Sequence, residues 1–135
     1  MPKTSERRIS SRSTSIALKR VYEAPAKGDG IRILVDRLWP RGVSKEKARL
    51  DLWLRDIAPS DDLRGWFAHD PKRWSEFKRR YRAELKGRSA ELQPIRDALR
   101  KGNVTFLFAA HDEEHNNAAA LKETIERRER AAARR

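Results

Sequence analysis

Two polar clusters follow apolar runs of the chain, and both contain residue types that bind or activate small molecules. The first cluster lies in residues 36–42, which read Asp-Arg-Leu-Trp-Pro-Arg-Gly directly after the apolar run 31–35. A carboxylate and guanidinium groups at the end of a buried strand are costly to desolvate unless they pair with each other or hold a ligand. The sequence therefore predicts a site here, formed by Asp36, Arg37, Trp39 and Arg41.

The arginines of this first cluster indicate an anionic ligand. Arg37 and Arg41 carry planar guanidinium groups, which make bidentate, charge-assisted bonds to a carboxylate or phosphate. The competing interpretation is a structural salt bridge to Asp36 or Asp56, and the residues alone leave both open. Trp39 has two interpretations as well, since its indole could form a wall for a flat ligand or close the core.

The second cluster, residues 111–117, follows the apolar run 104–110. His115 is a candidate general acid or base, with Asp36 as the other catalytic candidate, because imidazole titrates near neutral pH. The alternative role for His115 is a helix cap or a satisfied hydrogen-bond partner. Helix capping needs only one of two adjacent asparagines, so the other amide is free to contact a ligand. The binding candidates of this cluster are Asp112, Asn116 and Asn117.

A further histidine, His69, precedes Asp70 and Pro71. We include His69 among the binding candidates, whereas Asp70 is explained as the cap before a proline at the first helical position. The chain has no cysteine, and His111 and His115 lack the glutamate of a metalloprotease helix. No glycine-rich loop leads into a helix to cradle phosphates. We therefore expect neither a metal site nor a cofactor.

The elements that must position these residues alternate between strand and helix. Apolar patterns predict strands near residues 16–22, 31–38, 50–57 and 104–110, and helices near 46–50, 61–67, 70–85, 89–101 and 118–128. This alternation predicts a single compact α/β domain with a small, mostly parallel sheet of three to four strands flanked by helices. In such sheets ligands bind outside the carboxyl ends of the strands. If the strands before the two clusters are parallel neighbours, the clusters meet at one edge.

Charge is concentrated at the two ends of the chain. The net charge is +12, of which residues 1–20 carry +5 and residues 126–135 carry +3. We expect a disordered basic tail at 1–14, a domain at 15–126 and a basic tail at 127–135. The tails and the basic helix face of Lys78, Arg79, Arg80 and Arg82 suggest an alternative function, as a nucleic-acid-binding or protein-interaction module.

Nothing in the sequence predicts a membrane association. No apolar stretch approaches the roughly 20 residues that span a bilayer, and the basic N-terminal residues are not followed by an apolar segment. Together with the absence of cysteine, this favours a cytoplasmic protein. The leading functional hypothesis is a protein that binds an anionic small molecule at the strand edge, with turnover and oligomeric state left open.

Several separated motifs resemble those of the YeaO-like branch of domain of unknown function 488. They are residues 19–23 (Lys-Arg-Val-Tyr-Glu), residues 29–42 with the first polar cluster, residues 54–60, Trp66-Phe67 with His69-Asp70-Pro71, and Asp112 with residues 115–118. The resemblance covers about residues 16–125. It implies a compact α/β domain of bacterial cytoplasmic proteins and implies no established activity. Arg55 stands where the family commonly has lysine, which keeps the charge but alters the geometry.

Overall fold

The structure is a computed structural model that describes residues 15–134. The predicted tail at 1–14 lies outside the described residues. Four strands form one parallel sheet in the order β1-β4-β2-β3: β1 Ile16–Arg20, β2 Ile31–Leu34, β3 Leu52–Trp53 and β4 Val104–Phe108. Five helices connect and flank them: α1 Lys45–Ala48, α2 Asp61–Phe67, α3 Trp74–Leu85, α4 Ser89–Lys101 and α5 Asn117–Ala133. The predicted α/β class with a small parallel sheet is confirmed.

The central strand β4 is buried at every position, which explains its uncharged, apolar sequence. Alternate residues of the sheet face two unequal cores. Phe106 and Phe108 face the larger core, against α3, α4 and α5, whereas Leu107 faces a smaller cluster. Trp39 and Trp53 pack against that smaller cluster. Because both faces of the sheet are covered, the polar segments that follow the strands reach the surface at the carboxyl ends of the strands.

The third strand is shorter than its alternating sequence predicted. Regular pairing covers only Leu52–Trp53, and a 3-10 turn at Arg55–Ile57 replaces the expected remainder up to residue 57. The physical reason is the length of the neighbouring strand, because β2 ends at Leu34 and the last bond between them runs from Leu54 N–H to Leu34 O at 2.9 Å. Beyond that bond the chain has no strand to pair with.

The last helix is longer than predicted. It continues past the predicted end at residue 128 to Ala133, through residues that the sequence suggested were a tail. Alanines at 131–133 favour helix without needing a buried face.

A polar network braces the opposite, amino-terminal end of the sheet. The Arg32 guanidinium is buried and donates to Ala48 O at 2.7 Å and to Asp29 Oδ2 at 2.5 Å. Lys19 Nζ also contacts Asp29, at 2.9 Å. Burial alone would raise the pKa of Asp29, but hydrogen bonds from Lys19, the Ala26 N–H and Arg32 outweigh burial and hold the pKa below its usual value. All of these groups are satisfied within the protein, so this end is structural.

Candidate functional site

The two polar clusters leave the sheet side by side, because β2 and β4 are paired in parallel. The carboxylate of Asp36 joins them directly: its Oδ2 accepts the backbone N–H of Ala109 at 2.9 Å. A second link runs from Asn117 Nδ2 to the carbonyl of Val35 at 3.0 Å. These bonds fix the start of one cluster against the end of the other and define a shared edge.

Asp36 is held in a largely desolvated position at this edge. Burial raises the pKa of its carboxyl above the usual value, and the Ala109 N–H, the Asn117 side chain and the positive charge of Arg64 only partly oppose that effect. The backbone carbonyl of Asp36 also accepts the Trp53 indole N–H at 2.8 Å. Asp36 thus positions three segments of the chain at once.

His115 forms a fixed pair with Asp112. Its Nδ1 lies 3.0 Å from Asp112 Oδ2, while Asp112 Oδ1 accepts the backbone N–H groups of Glu114 and His115, both at 2.9 Å. The bond from the Glu114 N–H, followed by the bond from the His115 N–H, holds the pKa of Asp112 below its usual value. The imidazole also meets the Trp74 ring edge to face, with centroids 5.3 Å apart. Both contacts restrain the orientation of the imidazole.

The two asparagines divide their roles between capping and the site. Asn116 caps α5, since its Oδ1 accepts from Ala119 N at 2.8 Å, and its Nδ2 donates to Asp112 O at 2.9 Å. Both polar atoms of Asn116 are therefore engaged. Asn117 is the spare amide, with its Nδ2 bonded to Val35 O as described above.

A cavity of about 80 Å³ lies at this edge. Apart from the helix cap Asn116, three of the predicted candidates line it: His69, His115 and Asn117. Arg64, which the sequence analysis did not identify, lines it as well. The remaining lining residues are Pro59, Phe67, Phe77, Ala110 and Asn116. Apolar rings and a few polar groups around a concave space are the usual composition of a small-molecule site.

Arg64 has an unusual environment within this cavity. Its Nε is buried and has no hydrogen-bond partner in the structure, and it is the one such side-chain nitrogen or oxygen among residues 15–134. One terminal nitrogen, Nη2, contacts Asp61 in the preceding turn. Arg64 is not among the candidate residues predicted from the sequence. The available signal was that α2 follows β3 and so begins at the same sheet edge.

The helix that carries Arg64 is anchored at its first residue. Ser60 Oγ accepts the Leu63 N–H at 3.1 Å and donates to Glu84 Oε2 at 2.6 Å, while Ser60 N–H donates to Glu84 Oε1 at 2.9 Å. Ser60 therefore caps α2 and ties it to α3. This arrangement fixes the start of α2, and hence the position of Arg64, relative to the core.

The backbone that leads from α2 to Asp70 is strained. Ala68 ends α2 in a left-handed conformation with φ 48°, and His69 follows with φ 56°. Left-handed residues other than glycine are uncommon and costly, and they concentrate at functional sites. The turn places His69 at the cavity. Asp70 then accepts the Lys72 N–H at 3.0 Å, in the capping role expected for it.

The other candidates of the first cluster lie away from the cavity. Arg37 Nε is 3.7 Å from Asp61 Oδ1; the Asp61 side chain is largely in solvent and that of Arg37 is partly exposed. Arg41 is exposed, and its carbonyl accepts the Tyr22 hydroxyl at 3.1 Å. Neither arginine forms an ion pair with Asp36 or Asp56, so the structural salt bridge weighed from the sequence is not the arrangement here.

Trp39 closes the smaller core and does not form a wall of the cavity. Its ring meets Trp53 edge to face, with centroids 5.4 Å apart, and its indole N–H donates to Val43 O at 2.7 Å. Both the face and the polar atom of the indole are thereby used inside the protein.

The basic face of α3 is partly neutralised within the protein. Lys78 Nζ lies 3.1 Å from Glu123 Oε1, and Arg79 and Arg80 both pair with Glu76. Arg80 also stacks over Trp66, 4.1 Å from the ring centroid. Charges engaged in this way present less free positive potential to a nucleic acid than the sequence run suggests.

The described residues contain no group of three or more metal-ligating side chains, and none of their helices is long and apolar enough to cross a bilayer. Fold and site together define a small parallel α/β protein with a compact cavity at the carboxyl edge of its sheet. The model of the family described as "Inactive DUF488-N3 subclade" matches residues 15–134. The chain belongs to this family, a branch of domain of unknown function 488.

Curated relatives agree with this assignment. The chain is 40% identical over 114 residues to the uncharacterized protein Rv3073c of Mycobacterium tuberculosis (strain H37Rv), covering 84% of this chain and 96% of the relative. It is 38% identical over 111 residues to the uncharacterized protein YeaO of Escherichia coli (strain K12), covering 82% and 96% respectively. The YeaO-like resemblance read from the sequence is confirmed. No solved structure gives a significant match.

Proposed function

We propose that the protein binds a small anionic molecule in the cavity at the carboxyl edge of the sheet, with Arg64 as the principal contact. The observation that carries the proposal is the buried Arg64 Nε without a hydrogen-bond partner. A buried donor left unpaired costs about 1–3 kcal/mol, so native proteins rarely retain one without a reason. Nε has almost no accessible surface as the side chain stands, so an anion in the cavity would remove that cost after a small movement of the Arg64 guanidinium toward it.

The size of the cavity limits the ligand. Pockets for drug-sized molecules usually measure about 300–1,000 Å³, whereas this one measures about 80 Å³. A carboxylate or phosphate with a few further atoms is of the right scale, and a nucleotide is too large. The nearby acids do not oppose binding strongly: Asp61 is mostly solvated and screened, and the Asp36 carboxylate is engaged by Ala109 N–H.

Binding without turnover is the form of function that we favour. The matching family is described as an inactive subclade. In addition, Asp36 is hydrogen-bonded to Ala109, whereas His115 is hydrogen-bonded to Asp112. The two acid/base candidates thus belong to separate networks. Their roles in our proposal are to position the edge and to line the cavity.

The test compares Arg64→Met with Arg37→Met as the matched control, since both arginines contact Asp61 but only Arg64 lines the cavity. Calorimetric titration with acetate and with inorganic phosphate, at constant ionic strength, measures affinity. We expect wild type and Arg37→Met to bind alike and Arg64→Met to lose about tenfold or more. Equal binding by all three proteins, or binding by none, would overturn the proposal.

The second candidate function, a nucleic-acid-binding or interaction module, has weaker support because Lys78, Arg79 and Arg80 are paired with glutamates. A salt-sensitive mobility shift of RNA or DNA by residues 15–134 alone would favour it.

A further inference from the structure

The hydrogen-bonding state of His115 narrows the class of ligand, on the basis of the proposed function above. Asp112 approaches His115 Nδ1 at 3.0 Å, and an ionised carboxylate can only accept. The lowered pKa of Asp112 agrees with an ionised carboxylate. In the neutral imidazole the proton therefore resides on Nδ1. Nε2, the nitrogen away from Asp112, is then an acceptor.

The ring cannot easily exchange its two nitrogens. The backbone N–H of His115 is bound to the same carboxylate, at 2.9 Å, and the edge-to-face contact with Trp74 holds the ring plane. His115 lines the cavity and its Nδ1 is engaged by Asp112, so Nε2 is the ring nitrogen left for a ligand.

Asn117 adds a second acceptor of the same kind. Its Nδ2 donates to Val35 O, which fixes the orientation of the amide and leaves Oδ1 for other partners. Asn116 contributes nothing to a ligand, because its Oδ1 and Nδ2 are both engaged. The residues that line the cavity therefore include one cation, Arg64, and two side chains with a neutral acceptor, His115 and Asn117.

We infer that the preferred ligand is a small carboxylate with a hydroxyl group on the adjacent carbon, a 2-hydroxy acid of two or three carbons. Its carboxylate would accept from Arg64, and its hydroxyl would donate to His115 Nε2 or Asn117 Oδ1. A carboxylate without a hydroxyl group leaves these acceptors unpaired. Polar sites discriminate most strongly against ligands that leave a buried polar group of the protein without a partner. An ammonium group in place of the hydroxyl would bring a second cation beside Arg64.

The test compares glycolate with acetate, which differ by the single hydroxyl, and with glycine. Calorimetric titrations use the wild-type chain, His115→Phe, and His111→Phe as control, because His111 is exposed and does not line the cavity. We expect glycolate to bind wild type and His111→Phe about tenfold more tightly than acetate, the factor that about 1.4 kcal/mol of hydrogen bonding gives. In His115→Phe this preference should fall several-fold while acetate affinity is kept.

Nitrogen-15 spectra of the imidazole provide a readout that does not depend on a variant. A protonated Nδ1 with an Nε2 resonance that moves on addition of glycolate, and not of acetate, supports the inference. Equal affinity for glycolate and acetate, tighter binding of glycine, or a proton on Nε2 would overturn it while leaving anion binding intact. Failure of every anion to bind would overturn the proposed function as well.

Discussion

Asp36 Oδ2 accepts the backbone N–H of Ala109 at 2.9 Å, and this bond ties the residues that follow β2 to those that follow β4. Strand pairing alone brings these segments to the same edge, but it does not set their spacing. The bond does so, and Ala110, the residue after Ala109, lines a small cavity together with Arg64 and His115. Asp36 is therefore a positioning residue of the candidate site.

Replacement of Asp36 by Asn should change how stability depends on pH. Burial raises the pKa of Asp36, so its contribution to the free energy of unfolding is fully present below the usual value of 3.8 and is lost as pH rises through the folded-state value. The variant should therefore become more stable relative to wild type as pH rises from about 3 to 7. Urea denaturation at a series of pH values measures this, and a difference independent of pH would contradict it.

Replacement of Asp29 by Asn should show the opposite pH dependence. Its hydrogen bonds and ion pairs lower the pKa of Asp29, so they stabilise the fold fully above 3.8 and less as pH falls through the folded-state value. At pH 7 we expect a loss of about 3 kcal/mol, because the buried Arg32 loses its carboxylate. This loss should shrink on acidification. Asp62→Asn, at an exposed position, is the control and should change stability little at any pH.

Replacement of Ala68 by Gly should stabilise the protein. The residue has φ 48°, a conformation that costs an L-amino acid about 1 kcal/mol or more and glycine almost nothing. We expect a gain of about 1 kcal/mol in the free energy of unfolding by denaturant titration. Ala83→Gly, at an exposed position inside α3, should instead lose about 1 kcal/mol. A loss at both positions would show that the left-handed turn is not strained.

Replacement of Tyr81 by Phe should destabilise the fold through a single lost bond. The buried Tyr81 hydroxyl donates to Ile57 O at 2.5 Å, and its removal leaves that carbonyl without this partner. The expected cost is about 2 kcal/mol. Tyr22→Phe removes a comparable bond, to Arg41 O, at an exposed position and should cost less than about 0.5 kcal/mol. Thermal and urea unfolding of both variants test this contrast, which equal losses would refute.

Local sequence predicted the features that depend on neighbouring residues. The uncharged run at β4 and the proline turn after Asp70 were both identifiable, because side-chain burial patterns and capping act over a few residues. The end of β3 was not predictable in this way. It depends on where β2 ends, and the partner strand is about 20 residues away in the chain.

For the site, the order of apolar runs and polar clusters already indicates which segments reach the carboxyl edge, since each polar cluster follows an apolar strand. Which side chains turn toward the cavity depends on three-dimensional packing. Arg37 and Arg41 have the same chemistry as Arg64 but lie outside the cavity, whereas Arg64 lines it. The direction of each side chain is set by packing between segments that are far apart in the sequence. For Arg64, that packing includes the contact between Ser60 and Glu84, which fixes the start of α2. These two residues are 24 positions apart in the sequence.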